Sequence, residues 1–182
     1  DLNIYAGAYT INEDDAEVFK EVYCDKVFRN KQQEFLTEAQ LPTAGPILID
    51  LDFRYGIDIE ERQHQADHIS DLIDLYLEQL KKIVNITEQE FPIFILEKPN
   101  VNTLDEVTKD GIHIIIGIHL HHEAQIIIRE YMLEEIGNIL SELPLQNDYE
   151  SVIDKGIVTG KTNWQLYGSR KPGNEAYELV QY

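Results

Sequence analysis

A single cysteine, Cys24, stands in the 182 residues, so an internal disulfide and a cysteine-based zinc site are both excluded. Proline and glycine are sparse, at six and ten, beside 43% hydrophobic residues. That balance excludes collagen-like, low-complexity and disordered classes and describes a folded chain. No uncharged apolar run approaches the ~20 residues a membrane span requires, and no positively charged, apolar leader follows Asp1. Secreted and transmembrane readings are therefore weak. Because the first residue is not Met, the reading expects a piece of a longer parent chain. The length suits one medium domain, or two small lobes sharing a core.

Basic residues are also scarce: 15 Lys and Arg against 34 Asp and Glu, a formal charge of −19. Duplex DNA carries a negative charge about every 1.7 Å, so this deficit argues at first against a nucleic-acid partner. Distribution qualifies the sum. Residues 1–40 hold nine acids and four bases, and residues 58–90 nine acids and three bases, mostly on expected solvated helix faces. Residues 155–174 hold no acid but carry Lys155, Lys161, Arg170 and Lys171, a local basic segment in an acidic whole.

Periodicity supplies the elements. A helix is expected from Asp14 to Phe28. After the turn-rich LPTAGP, the run ILIDLDFRY reads as a strand in which Ile47, Ile49, Leu51 and Phe53 share one face, while Leu48, Asp50 and Asp52 share the other. Ile69, Leu72, Ile73, Tyr76, Leu80 and Ile83 recur at helical spacing within 59–84. FPIFILE (91–97) reads as a buried strand. GIHIIIGI (111–118) is an alternating strand with His113 and Ile115 opposite Ile112, Ile114, Ile116 and Ile118. A helix is expected from His122 to Leu143, ended by Pro144. VID, IVTG and NWQLYGS read as short strands and loops. The β, α, β, β, α, β order predicts an α/β (α+β) sandwich with an RNA-recognition-motif-like mixed sheet and flanking helices.

Asp50 and Asp52 are the sharpest chemical feature. At i, i+2 on one strand face their Cα atoms lie roughly 6.5 to 7 Å apart, a separation that two side chains can close around shared divalent cations. Like charges so near one another are costly without a cation, although the same pair on a solvated face is the plain structural alternative. His113 offers an imidazole for a phosphate oxygen or for acid–base work, or is simply a structural histidine. Asp154, before Lys-Gly, is a third carboxylate ligand or a turn residue. In NWQLYGSRKPG, Trp164 and Tyr167 offer rings beside Arg170 and Lys171, a combination suited to phosphates and unstacked bases. VTGKT is no phosphate-binding loop, because Lys155 stands where its first glycine would fall.

Taken together, ILIDLDFRY, KDGIHIII, VIDKGIV and NWQLYGSRKP resemble, in order and rough spacing, the archaeo-eukaryotic primase superfamily. They are most similar to the primase domain of the primase-helicase proteins of large nucleocytoplasmic DNA viruses. The resemblance spans about residues 47–173 and implies one primase/polymerase catalytic domain over 1–182, a fragment of a longer primase-helicase. It implies Asp50, Asp52 and Asp154 as catalytic, metal-holding carboxylates for two Mg²⁺ or Mn²⁺ ions. It also implies His113, Arg170 and Lys171 as nucleotide contacts, with Trp164 packed beneath them. The implied partners are nucleoside triphosphates, a single-stranded DNA template and a fused or associated helicase, in an intracellular setting such as the host cytoplasm or a viral factory. The family's pattern often has Ser two before the histidine, where this chain has Gly111. Two other readings stand beside it. His119 and His121, with Tyr131 on the following helix, match the metal site and nucleophile of a nicking replication initiator. The same fold also serves as a non-catalytic replication-binding module.

Overall fold

The computed structural model describes residues 7–86 and 90–180, which leaves Asp1 outside the described part. The chain divides into two compact units, 1–34 and 35–182. The first contains α1 (Glu13–Cys24), whose first turn carries Glu13, Asp14 and Asp15, acids placed where the helix dipole favours them. The expected helix over 14–28 changes character at Cys24. A π-helical turn, Asp25–Arg29, carries it on, and Asn30 closes it by donating from Nδ2 to Asp25 Oδ2 at 2.9 Å.

In the second unit β1 (Thr37–Glu38) precedes the long β2 (Ala44–Tyr55). Then come α2 (Ala66–Lys81), β3 (Ile93–Glu97), β4 (Asn102–Thr103) and the 14-residue β5 (Thr108–His121). Four helices follow: α3 (His122–Glu135), α4 (Gly137–Leu140), α5 (Tyr149–Val152) and α6 (Lys155–Val158). The chain ends with β6 (Trp164–Gln165) and β7 (Glu178–Val180). The main sheet has the order β2-β5-β3-β7, with β4 also on β5, and β1 pairs with β6 in a separate ribbon.

The α+β class with flanking helices is as expected. The sheet differs in one respect: every pairing among the described strands is antiparallel, where a mixed sheet was expected. The two strands joined by α2 do run parallel, but β5 slots between them and separates them, so each hydrogen-bonded pair is antiparallel. A second difference concerns the last strand. VID forms no strand: α5 ends at Val152 and only Ile153 bridges to Leu51 on β2, while β7 sits at the far edge beside β3. IVTG is likewise mostly helical, in α6.

Helix boundaries moved for identifiable reasons. The pattern over 59–84 starts its helix only at Ala66, because Arg62 and His64 are drawn onto the sheet and the Gln65 N–H donates to His68 Nδ1 at 3.0 Å. Ile69, Leu72, Ile73, Tyr76 and Leu80 are buried as expected, whereas Ile83 lies past the helix and is exposed. The helix expected over 122–143 breaks between α3 and α4. Among the described residues no helix is long and apolar enough to cross a membrane.

One sheet face is the core. Ile47, Ile49, Leu51 and Phe53 of β2 and Ile112, Ile114 and Ile116 of β5 pack with α2, α3 and α4, and each such burial stabilises by about 1.5–3 kcal/mol. The opposite face is partly covered by a small second cluster, in which Leu48 and partly buried Ile115 meet Ile157 and Trp164. What that cluster leaves uncovered is the acidic part of β2.

Candidate functional site

Register fixes the site. Asp50 lies directly opposite His113, and Asp52 opposite Gly111. On the other edge of β5, Leu96 stands opposite His113, so Lys98, just beyond β3, reaches the same face. Asp50, Asp52, Gly111, His113 and Lys98 line a cleft of about 810 Å³, which Asp154, Arg170 and Lys171 also line. The fold therefore brings all six sequence-derived candidates, Asp50, Asp52, His113, Asp154, Arg170 and Lys171, to one cleft.

Asp154 arrives there through backbone and a buried arginine. Arg129, on α3 and 2% exposed, donates from Nε and Nη2 to the Ile153 carbonyl at 3.0 and 2.8 Å, and from Nη2 to the Glu150 carbonyl at 2.7 Å. With Ile153 held against Leu51, the Asp154 N–H donates to the Asp50 carbonyl at 3.0 Å. The Asp154 carboxylate also caps α6, Oδ1 accepting from the Gly156 N–H at 2.7 Å.

The electrostatics are uneven. Asp52 is paired: its Oδ2 accepts from Arg54 Nε and Nη2 at 3.0 and 2.8 Å, and Lys109 Nζ lies 3.3 Å away. Asp50 has no such partner. Burial, then the charges of Asp154 and Asp52, push its carboxyl up to about 7, against the opposing pull of Lys171 and Lys98. Three carboxylates lining one cleft offer the hard oxygen donors that Mg²⁺ and Mn²⁺ prefer, so the donor set fits a divalent cation. The cage is not closed as the side chains lie. Among the described residues no three His, Cys, Asp or Glu groups stand in metal-holding arrangement, Asp52 being turned to Arg54.

His113 stacks on Tyr177, ring centres 3.7 Å apart at 18°, and Trp164 lies tilted against it at 4.3 Å and 36°. Its Nε2 is 3.6 Å from Asp50 Oδ1. Burial, then Lys171 and Lys98, lower its pKa to about 3, so it works as a neutral imidazole. Trp164 is buried, as its expected packing role requires, and is thereby withheld from base stacking. Arg170 keeps a buried Nε without a hydrogen-bond partner among the described residues, and Lys171 is exposed. Lys98, its pKa lowered by burial and by Lys171, holds Nζ 5.2 Å from the Tyr177 ring centre.

Lys98, Lys109, Arg54 and Tyr177 were missed by the sequence reading. Alternation could have found Lys109 and Arg54, which share the faces of His113 and Asp52. Lys98 needed the β3–β5 register, and Tyr177 left no signal. The histidine alternative is not assembled. His119 and His121 pair with Pro46 and Ala44 at the other end of β5, on the order of 20 Å along the strand from His113, and no metal-holding group forms around them among the described residues. Tyr131 is exposed on α3.

A second polar group lies on the core face. Glu97 and Asp110, both buried, receive Arg62 and His64. Arg62 Nε and Nη2 donate to Asp110 at 3.0 Å each, Nη1 to Glu97, and Nη2 also to the Lys98 carbonyl at 2.7 Å. His64 Nε2 is 2.9 Å from Glu97 Oε1, and Nδ1 is 3.1 Å from Asp110 Oδ2.

Comparison with known proteins agrees with this geometry. The family model described as "C962R protein N-terminal AEP domain" matches residues 1–182. "Putative helicase L207/L206" of Acanthamoeba polyphaga mimivirus is 31% identical over 171 residues, covering 92% of this chain and 18% of that protein. The chain thus spans under a fifth of that relative's length. With the model matching from end to end and the strand register that presents the acid pair, the chain belongs to the archaeo-eukaryotic primase family, in the group of the C962R protein N-terminal domain.

Proposed function

We propose that this domain is a DNA-dependent primase or primase-polymerase that joins nucleoside triphosphates on a single-stranded DNA template. The observation that carries the reading is Asp50: a carboxyl pushed up to about 7 by burial and then by the charges of Asp154 and Asp52, in a cleft that Lys98, Arg170 and Lys171 also line. Asp50, Asp52 and Asp154 would hold two Mg²⁺ or Mn²⁺ ions, and such a pair supplies charge neutralisation at the attacking and leaving oxygens. In the reaction a 3′ hydroxyl oxygen bonds to the α-phosphorus, the bond to the β-phosphate oxygen breaks, pyrophosphate leaves, and the hydroxyl proton passes to solvent. Arg170, Lys171 and Lys98 seat the triphosphate. The imidazole of His113, stacked on Tyr177, offers its ring N–H to a phosphate oxygen.

The overall acidity points to help in holding a template, and the helicase name of the mimivirus relative supports a linked or associated helicase as its source. An intracellular site of viral replication fits the same relative. The test is incorporation of labelled nucleotides on single-stranded DNA, primed and unprimed, with Mn²⁺, Mg²⁺ or chelator. Metal-dependent extension is expected, with no label migrating on denatured protein. Absence of incorporation by folded protein in either metal would defeat the reading, and a covalent adduct lost in Tyr131→Phe would install the nicking alternative.

A further inference from the structure

Gly111 and Tyr177 occupy one place from two directions. A β-carbon built on Gly111 would lie 2.4 Å from the Tyr177 hydroxyl oxygen, but 3.5 and 3.7 Å from the ring atoms Cζ and Cε1. Only the hydroxyl, not the ring, forbids a side chain at 111. Gly111 faces Asp52 across the ladder, so the phenol oxygen sits on the cleft floor beside the acid pair. The ring is held there from both sides of the chain. It lies flat on His113, and the preceding residues are tied to the loop after β3: Asn100 donates to Glu175 at 3.0 and 2.9 Å, and Asn102 Nδ2 to Asn174 Oδ1 at 3.1 Å. β7 then pins the other end to β3. Among the described residues the hydroxyl makes no hydrogen bond, although Lys98 stands over the same ring.

A rigidly placed, unengaged hydroxyl among carboxylates and lysines is a donor waiting for an anion. We infer that Tyr177 is a substrate-contacting residue whose hydroxyl donates to a non-bridging oxygen of the bound triphosphate, an inference that rests on the nucleotidyl-transfer reading above. The hydroxyl donates a hydrogen bond and no bond is made or broken.

The full chain, with Mn²⁺, is titrated with a deoxynucleoside triphosphate and separately with inorganic triphosphate. Tyr177→Phe keeps the stack on His113 and removes one oxygen. It should weaken both ligands about tenfold, the effect of a hydrogen bond to a charged group, with melting unchanged. Gly111→Ser alone should also weaken binding, by collision with the phenol. The double variant Gly111→Ser with Tyr177→Phe should recover binding, because the ring atoms leave room for the new side chain and the hydroxyl returns from the other strand. Unchanged affinity in Tyr177→Phe overturns the inference, as does weakening for the nucleotide without weakening for inorganic triphosphate, which would move the contact to the sugar. A parent protein that binds neither ligand instead brings down the underlying reading.

Discussion

Two sets of carboxylates occupy opposite faces of the same three strands, and the fold treats them in opposite ways. On the core face, Glu97 and Asp110 meet a guanidinium and an imidazole in close contact. Burial alone would raise the Asp110 pKa, yet the hydrogen bonds and charges of His64 and Arg62 outweigh it and hold the pKa below the ordinary value. Burial would likewise lower the His64 pKa, and its two acids outweigh that and raise it. On the cleft face, Asp50 has no Lys or Arg ion pair among the described residues, and burial, then the charges of Asp154 and Asp52, raise its pKa against the pull of Lys171 and Lys98. A raised carboxyl of this kind, without an ion pair to Lys or Arg among the described residues, is not needed to hold the fold together. It persists where something positive from outside completes it, and perturbed groups of this sort concentrate at functional sites. Ion pairing marks the structural set, and a raised carboxyl without such a pair marks the site.

The comparison breaks most sharply at the acid pair. Asp50→Ala or Asp52→Ala should abolish nucleotide incorporation while leaving the fold intact, and the stabilisation that Mn²⁺ gives the parent should vanish. For Asp50 the metal-free stability carries its own sign. An acid whose folded pKa is raised binds more protons folded than unfolded, so stability falls as pH rises between about 4 and about 7. Asp50→Asn should flatten that decline in chemical denaturation series without metal. A variant that keeps both the slope and the incorporation would erase the distinction between the two faces.

The structural set should answer in stability instead. Arg62→Ala strands two buried acids, a loss of about 3 kcal/mol, at the low end of what breaking a buried pair costs because Arg62 is 29% exposed. The pH sign of Asp110 opposes that of Asp50, whereas that of His64 matches it. The Asp110 contribution is present above about pH 4 and lost as pH falls through its lowered value. The His64 contribution is present below about 6.5 and lost as pH rises through its raised value. Urea titrations of parent and variant from about pH 2 to about pH 8 check both. Some loss of nucleotide affinity is expected as well, since Arg62 also holds the Lys98 carbonyl.

How far the sequence disclosed this arrangement follows from the range of each interaction. Alternation acts within one strand, so the face shared by Asp50 and Asp52, and that of His113, were legible. Their pairing across the ladder followed only once β5 lay beside β2. Arg62 and His64 fell inside an apparent helical period and their partners lie more than 30 residues away, so nothing local announced them. Asp154 was visible as a residue but not as a neighbour of Asp50. Its position depends on a single bridge at Ile153 and on the guanidinium of Arg129 beneath it. Tyr177 reaches His113 across 64 positions through a loop without periodicity, and the absence of a side chain at Gly111 is its only local counterpart.

The smallest effects concern the cationic rim, where the two kinds of charge can be separated residue by residue. Arg170 and Lys171 form an adjacent cationic pair in the acid-free segment, and Lys81 with Lys82 forms another. Arg170 and Lys171, with Lys98, line the cleft, and Arg170 holds a buried Nε without a hydrogen-bond partner among the described residues. Lys81 is exposed at the last turn of α2. In a partly desolvated cleft a charge-assisted bond to phosphate exceeds the roughly 1 kcal/mol of a neutral one. Lys98→Ala, Arg170→Ala and Lys171→Ala should therefore each raise KM for the triphosphate several-fold. Lys171→Ala should show the smallest rise because its exposed charge is screened by salt. Lys81→Ala should change neither KM nor melting temperature, since an exposed lysine at a helix end contributes only a few tenths of a kcal/mol. Equal and negligible effects from all four substitutions would show that the rim is a solvated turn, and the triphosphate would lose its proposed seat while Asp50 kept its raised pKa.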